Sequence, residues 1–121
     1  MSATRAAERA LLGSLLIDHE ALAAVRPIVG VEDFADAGGR AVYAAVLAVA
    51  DRGLKVNYVD VECELEARGD FGRAVDWSVF VRLANSVPTS LYAVQYARRV
   101  AEAARKRRAD LAPKDGGALT L

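Results

Sequence analysis

The chain has one cysteine, Cys63, and one histidine, His19, among its 121 residues. A single cysteine excludes an internal disulfide and fits a reducing compartment such as the cytoplasm. One histidine and one cysteine, 44 positions apart, do not supply the clustered nitrogen and sulfur ligands of a zinc site. We therefore expect neither a metal centre nor any other cofactor.

Long apolar runs are also missing. No stretch approaches the roughly 20 apolar residues that span a bilayer, and the N-terminus lacks the pattern of a secretory signal. Aromatic residues make up only 7% of the chain, so leucine, valine and alanine must build most of its core. Because 121 residues suffice for one hydrophobic core, we expect a single soluble domain in the cytoplasm.

Neither sign of charge dominates, but the charges are unevenly placed. Residues 1–97 hold nine basic and thirteen acidic residues, a net charge of −4. Residues 98–121 hold seven basic and three acidic residues, a net charge of +4. An acidic body with a basic last helix is typical either of contact with a partner or of a solvated helix face.

The apolar residues recur every three or four positions, and no segment alternates as a strand would. This pattern predicts an all-α domain built as a compact bundle of about six helices. The first should run from Thr4 to Ile17, with its leucines on one face and Gly13 as a close-approach position. The others are predicted at about 19–26, 40–52, 61–68, 76–84 and from 89 onwards.

Capping residues and helix-terminating glycines set the expected boundaries of these helices. Asp60 is predicted to cap the helix at 61–68, and Gly53 and Gly69 to terminate the helices before them. Phe34 should anchor the loop at 31–39 onto the core. We expect the helical domain to cover residues 1–108 and a flexible tail to follow at 109–121.

Catalytic constellations are poorly supported. The serines share one possible histidine base, and neither a phosphate loop nor a dinucleotide fingerprint is present. Glu62 and Glu66 share a helix face, which is more typical of a solvated acidic surface than of a catalytic pair. Gly38-Gly39 precedes a helix and could in principle hold an anion on free N–H groups. We expect no enzyme activity from these residues.

Taken in order, several segments resemble one known family. Glu8 to Asp18 is similar to the pattern E-x-x-x-L-G-x-L-L-x-D, which opens the N-terminal domain of the bacterial replicative helicase DnaB. Asp33-Phe34 resembles its D-F dipeptide. Further pieces that resemble the family are Arg40-Ala41-Val42-Tyr43, Gly53 with residues 56–69, Val79-Phe80-Val81-Arg82-Leu83, and Pro88-Thr89-Ser90 with Tyr96-Ala97-Arg98-Arg99-Val100. The resemblance covers about residues 5–108.

Some positions depart from the family's pattern. Gly39 replaces a histidine, Asn57 an aspartate, Asp60 a threonine and Tyr92 an asparagine, and Ala74-Val75 stands where two glycines are frequent. Asp60 can cap a helix as threonine does, so the fold is expected to survive. The family's ATPase domain, with its phosphate loop, is not in this sequence.

The resemblance implies a non-enzymatic module for protein–protein contact and oligomerisation in DNA replication. Its implied partners are a second copy of the chain, a replicative helicase, primase or a loader, in a homodimer or higher oligomer. The residues implied for subunit contact are Leu91, Val94, Arg98 and Val100 in the last helix, joined by Leu15 and Leu16 if the first helix has a surplus apolar edge.

An alternative uses the basic end of the chain. Arg105, Lys106, Arg107 and Arg108 could contact nucleic-acid phosphates, which would make the protein a small DNA-binding or regulatory domain. The aromatic residues do not interleave with these cations, and the acidic body would repel DNA. Direct nucleic-acid binding is therefore left open, as is a helical enzyme with a Glu62/Glu66 site.

Overall fold

The structure, a computed structural model, describes residues 3–72, 75, 82 and 89–111. In these ranges the chain forms five longer elements: α1 (Ala3–Ile17), α2 (Ala21–Val25), α3 (Ala37–Asp51), α4 (Tyr58–Ala67) and α5 (Ala93–Leu111). A 3₁₀ turn at Val31–Asp33 lies between α2 and α3. An isolated bridge pairs Phe71 with Val75, and the described residues form no β-strand. The prediction of an all-α fold is confirmed.

The first helix forms the centre of the core. Leu11, Leu12 and Leu15 are fully buried, as their spacing of three and four positions predicts. The helix packs chiefly against α5, which presents a buried face of small residues. The members of that face are Ala93, Ala97, Val100, Ala101 and Ala104.

This pair is antiparallel, because the end of α1 lies beside the start of α5. Asp18, directly after α1, accepts a hydrogen bond from Ser90, just before α5. Near the C-terminal end of α5, Arg107 donates to the carbonyl of Asp33 in the 3₁₀ turn, and the Arg108 guanidinium pairs with the Asp33 carboxylate. Polar contacts therefore hold both ends of α5, one to the end of α1 and the other to the 3₁₀ turn.

Glu8 is a buried charge with a structural role. Its carboxylate accepts hydrogen bonds from the N–H of Ala35 at 2.8 Å and of Asp36 at 3.4 Å. Asp36 in turn caps α3 by accepting from the N–H of Gly39. A Cβ at Gly39 would lie 3.2 Å from the ring of Phe34, so glycine permits the close approach of helix and loop. The N–H groups around the start of α3, where an anion could bind, therefore donate to the carboxylates of Glu8 and Asp36.

The structure moves several predicted helix starts, and α2, expected from about residue 19, begins at Ala21. Helix α3 begins at Ala37 rather than at residue 40, because the Asp36 side chain satisfies the first turn. Helix α4 begins at Tyr58, and its cap is Asn57 rather than Asp60. The Asn57 side chain accepts from the N–H of Asp60 at 3.0 Å and donates to the Asp60 carboxylate at 2.7 Å. Asparagine and aspartate both cap well, so the sequence alone did not decide between them.

The predicted helix ends at Gly53 and Gly69 are confirmed. Both glycines have positive φ, +81° and +73°, which residues with a Cβ rarely adopt. At Gly53 the N–H groups of Gly53 and Leu54 turn back to the carbonyls of Ala50 and Val49. This paired pattern satisfies two carbonyls that the end of α3 would otherwise leave open.

The ends of the chain differ in detail from the predicted domain limits. Helix α5 starts at Ala93, after a turn at 90–92, and continues to Leu111, three residues beyond the expected boundary at 108. The expected tail at 112–121 and most of the helix expected at 76–84 lie outside the described residues. In the described parts of the chain, no helix combines the length and apolarity that crossing a bilayer requires.

Phe34 and Tyr43 fill the space between the loop and α3. Their ring centroids lie 5.0 Å apart, and both side chains are fully buried, as predicted for Phe34. The Tyr43 hydroxyl donates to the carbonyl of Val29 at 2.8 Å. Burial raises the pKa of Tyr43 to about 12, with Arg26 lowering it and Asp33 raising it by smaller amounts. Burial therefore favours the neutral, protonated phenol of Tyr43 in the folded state.

We predict that Glu8→Ala destabilises the domain by about 2–4 kcal/mol, because two loop N–H groups lose a charged acceptor. Urea denaturation measures this free energy of unfolding. The control is Glu66→Ala, since Glu66 is exposed on α4 and its loss should cost no more than about 0.5 kcal/mol. Equal costs for the two variants would show that Glu8 does not hold the loop.

We predict that stability declines between pH 10 and pH 12 through Tyr43. In that window the unfolded phenol has lost its proton and the folded one keeps it, so each pH unit removes about 1.4 kcal/mol of unfolding free energy. Denaturation at several alkaline pH values measures the decline. Tyr43→Phe is less stable at neutral pH by about 1 kcal/mol but should lack this part of the decline. An unchanged slope in that variant would contradict the prediction.

Candidate interaction surface

Glu64 of α4 is the centre of a surface ion-pair cluster. Glu64 pairs with Arg68 and Arg52, each at 2.7 Å, and these hydrogen bonds lower the pKa of its carboxyl group. Glu66 is exposed and Glu62 is partly exposed, as expected for a solvated face. Among the described residues, no group of three or more histidine, cysteine, aspartate or glutamate side chains could hold a metal ion.

Two long-range hydrogen bonds join three segments of the chain at the C-terminal end of α1. The Ser90 hydroxyl donates to one carboxylate oxygen of Asp18 at 2.6 Å, and the other oxygen accepts from the N–H of Glu20 at 3.0 Å. The next residue, His19, accepts the N–H of Val56 on its Nδ1 at 2.8 Å. The end of α1, the start of α5 and the connector before α4 therefore meet at one place.

Exposed apolar side chains concentrate around this meeting point. Seven large apolar residues are exposed among those the structure describes, and six lie within three positions of Asp18, Val56 or Ser90. We call these six the apolar end: Ile17, Leu54, Tyr58, Val59, Leu91 and Tyr92. Leu91 is the most exposed of them at 74%. Apolar side chains collected at one end of a domain are typical of a contact surface.

A groove borders the apolar end. Its volume is about 520 Å³, and it runs between α2 and the connector before α4. The groove is lined by His19, Glu20, Leu22, Ala23, Arg26 and Lys55. Arg26 also pairs with Asp51 at 2.8 Å, where both side chains are well exposed. The groove has a mixed polar and apolar lining and no cluster of catalytic groups.

The residues that the resemblance implies for subunit contact are divided by the structure. Leu15, Leu16 and Val100 are buried in the core, where helices of the same chain already cover them. Leu91 and Arg98 are exposed, and Val94 is half-buried. Leu15 and Leu16 were expected to join the contact if α1 had a surplus apolar edge. The exposed apolar residue at the end of α1 is Ile17, which is 45% exposed.

The basic residues near the chain end are also divided. Arg107 and Arg108 bind the carbonyl and the carboxylate of Asp33, so their charges serve the fold. Arg105 and Lys106 are exposed on α5. The four adjacent cations of the sequence therefore do not form one surface, because a helix turns successive residues by about 100°.

Sequence reasoning missed most of the apolar end. The sequence pattern makes Ile17 the last residue of the apolar helix and places Tyr58 and Val59 in a connector. One usable signal was present, because Ile17 falls outside the stripe of positions 11, 12 and 15 that faces the core. The pairing of His19 with Val56 had no signal, since it depends on contacts 37 residues apart.

The fold defines a small all-α domain whose described surface offers apolar contact area rather than a catalytic constellation. The family model described as DnaB-like helicase N terminal domain matches residues 1–102. The chain belongs to this family, the N-terminal domains of DnaB-type replicative DNA helicases. The resemblance drawn from the ordered motifs is thereby confirmed.

Individual relatives agree with this assignment. The chain is 38% identical over 96 residues to the replicative DNA helicase DnaB of Geobacillus stearothermophilus, covering 79% of this chain and 21% of that protein. It is 32% identical over 96 residues to the replicative DNA helicase DnaC of Bacillus subtilis, with the same coverage of each. The chain spans about a fifth of the length of the curated relatives it matches.

A solved structure also matches the fold. The crystal structure of the N-terminal domain of DnaB helicase from Mycobacterium tuberculosis superposes with a TM-score of 0.83 at 34% identity. The match covers 93% of this chain and 80% of that one. The similarity is thus to one domain of a larger helicase in both sequence and fold.

We predict that Asp18 and Ser90 are energetically coupled by at least about 1 kcal/mol, since a hydroxyl donates here to a charged acceptor. The measurement is a double-mutant cycle of unfolding free energies with Asp18→Ala, Ser90→Ala and the double variant. The cycle cancels the separate loss of the Asp18 contact to Glu20. Additive single effects would show that this bond does not join α1 to α5.

Proposed function

We propose that this domain is a non-enzymatic assembly and docking module of a replicative DNA helicase. In this role it holds a second copy of itself or a neighbouring helicase subunit and receives a replication partner such as primase or a loader. Two findings support the proposal: membership of the DnaB N-terminal domain family and the position of six exposed apolar side chains at one end. The second observation carries it, because it concerns this chain's own surface.

The apolar end is suited to binding because the fold holds it in place. Ile17, Leu91 and Tyr92 lie one or two positions from the Asp18–Ser90 hydrogen bond, which joins the two central helices. Side chains next to a fixed backbone lose less conformational freedom when they bind a partner. Removing these apolar groups from water supplies the main favourable free energy of association.

For self-association, we propose a symmetric contact centred on Leu91. A two-fold interface uses the same patch on both subunits, so one exposed apolar residue can contact its counterpart directly. Val94, in the first turn of α5 and half-buried, follows Leu91 by three positions. It extends the contact into α5, with Ile17 at the α1 edge.

The catalytic activity of the related helicases is proposed to lie outside this domain. The match covers the N-terminal domain, and the 121 residues hold no phosphate loop. We therefore propose that ATP-driven unwinding belongs to the roughly four-fifths of the relatives' length that this chain does not match. A reaction catalysed by the domain alone is not part of the proposal.

We predict that Leu91→Glu abolishes self-association at micromolar concentrations, because it places a charge at the centre of an apolar contact. Sedimentation velocity over a concentration series measures the effect. Leu111→Glu is the matched control, since Leu111 is 82% exposed at the C-terminal end of α5, far along the chain from Leu91. The control should sediment as the parent domain does.

The partner role is tested in the same series. Pull-down of purified primase, helicase or loader should be weakened by Leu91→Glu and by Ile17→Glu and unaffected by Leu111→Glu. A parent domain that stays monomeric and captures none of these partners would overturn the proposal. Equal loss in all three variants would mean that the apolar end is not the contact.

A further inference from the structure

The solvent face of α5 carries a linear strip of cations. Arg98, Arg99, Arg105 and Lys106 are all exposed there, and we call these four the α5 strip. Arg98 and Arg105 are seven positions apart, as are Arg99 and Lys106, so each pair recurs after about two turns on one side of the helix. The strip is about 12 Å long. Glu102 is the one carboxylate between its ends.

These four charges are not used within the described fold. The ion pairs found among the described residues involve Arg26, Arg52, Arg68 and Arg108, and none of the strip cations takes part. Arg107 and Arg108, which belong to the same sequence run, point to Asp33 instead. The structure therefore separates structural cations from a second set that faces solvent.

Helix electrostatics do not explain the whole strip. Cations in the last turn of a helix are stabilised by its dipole, which suits residues near Leu111. Arg98 and Arg99 lie in the first half of α5, where the dipole does not favour positive charge. Their presence there raises the local positive potential without a gain for the helix itself.

The strip lacks what a protein interface needs. From Gln95 to Asp110, the exposed residues of α5 include no large apolar side chain. Protein interfaces have an apolar core within a polar rim, whereas phosphate contacts require only positioned cations. One strand of a stacked nucleic-acid helix rises about 3.4 Å along its axis per phosphate, so a strip of about 12 Å spans the axial rise of three or four phosphates.

We propose that the α5 strip binds the phosphate backbone of a nucleic acid without sequence preference. Each of the four cations neutralises one phosphate and releases its counterion. The contact is distinct from the apolar end, where Leu91 and Ile17 meet protein partners. It also replaces the sequence-based set of residues 105–108 with a set chosen by helix geometry.

Fluorescence anisotropy of a labelled single-stranded DNA of 20 nucleotides tests the proposal. Four phosphate contacts predict a slope of about −3 for log K against log salt, or about 50-fold weaker binding between 50 and 200 mM salt. Arg105→Gln with Lys106→Gln should halve this slope and weaken binding at least tenfold at 50 mM salt. Glutamine favours helix, and circular dichroism checks that the variant folds.

The matched control removes two cations elsewhere. Arg26→Gln with Lys55→Gln changes the net charge equally but lies at the groove beside α2, so its slope should equal that of the parent. A duplex of the same sequence should also bind, because it presents the same phosphates. Salt slopes that fall equally in both double variants would overturn the proposal.

Two further outcomes would overturn it. One is the absence of binding at 50 mM salt with protein up to 1 mM, since non-specific affinities fall at about 10⁻⁴ to 10⁻⁶ M under more screening conditions. The other is equal competition by poly-L-glutamate at the same charge, which would assign the strip to an acidic protein. Sedimentation of the strip variant should match that of the parent, so loss of DNA binding is separable from loss of assembly.

Discussion

The structure depends on the antiparallel packing of α1 against α5. Helix α1 buries four leucines, and its main packing partner, α5, presents a buried face of alanine and valine. Apolar packing alone would tolerate sliding between two such helices. The hydrogen bond between Ser90 and Asp18 opposes sliding where the end of α1 meets the start of α5, and Arg107 and Arg108 hold the other end of α5 to Asp33 in the 3₁₀ turn. The other helices are arranged around this frame.

The same contacts determine which residues remain on the surface. At one end, the bond between Ser90 and Asp18 leaves Ile17, Leu91 and Tyr92 outside the core, next to a rigid backbone. At the other end, Asp33 takes up two of the basic residues and leaves Arg105 and Lys106 facing solvent. The apolar end and the α5 strip therefore both depend on the register of α5 within the fold. One surface is apolar and the other cationic, so we propose different partners for them.

Buried polar residues show where local reasoning was limited. Glu8 follows the start of α1 by five positions, and nothing local in the sequence indicates that its carboxylate supports the loop 27 residues later. Asp60 is a good capping residue, and Asn57 takes the cap because the connector reaches α4 in an extended conformation. The leucine stripe of α1, the plug at Phe34 and the glycine ends at Gly53 and Gly69 were predicted correctly. The leucine stripe and the glycine ends depend on neighbours within about one or two helical turns, so a sequence pattern contains the necessary information, and Phe34 was predicted because it is the large apolar residue of its loop.

The sequence by itself determined the helical class, the apolar face of α1, the helix ends at glycine and, through ordered motifs, the family. Those features follow from periodicity and from backbone preferences that act over a few residues. Only the tertiary structure decided which apolar and basic residues are exposed. Leu16 and Ile17 are adjacent and similarly apolar, yet one lies in the core and the other in solvent. Composition also cannot show which cations of an adjacent run face solvent and which bind within the fold. Lys106 faces water and Arg107 faces Asp33, because a helix turns about 100° per residue and α5 has one fixed register against α1.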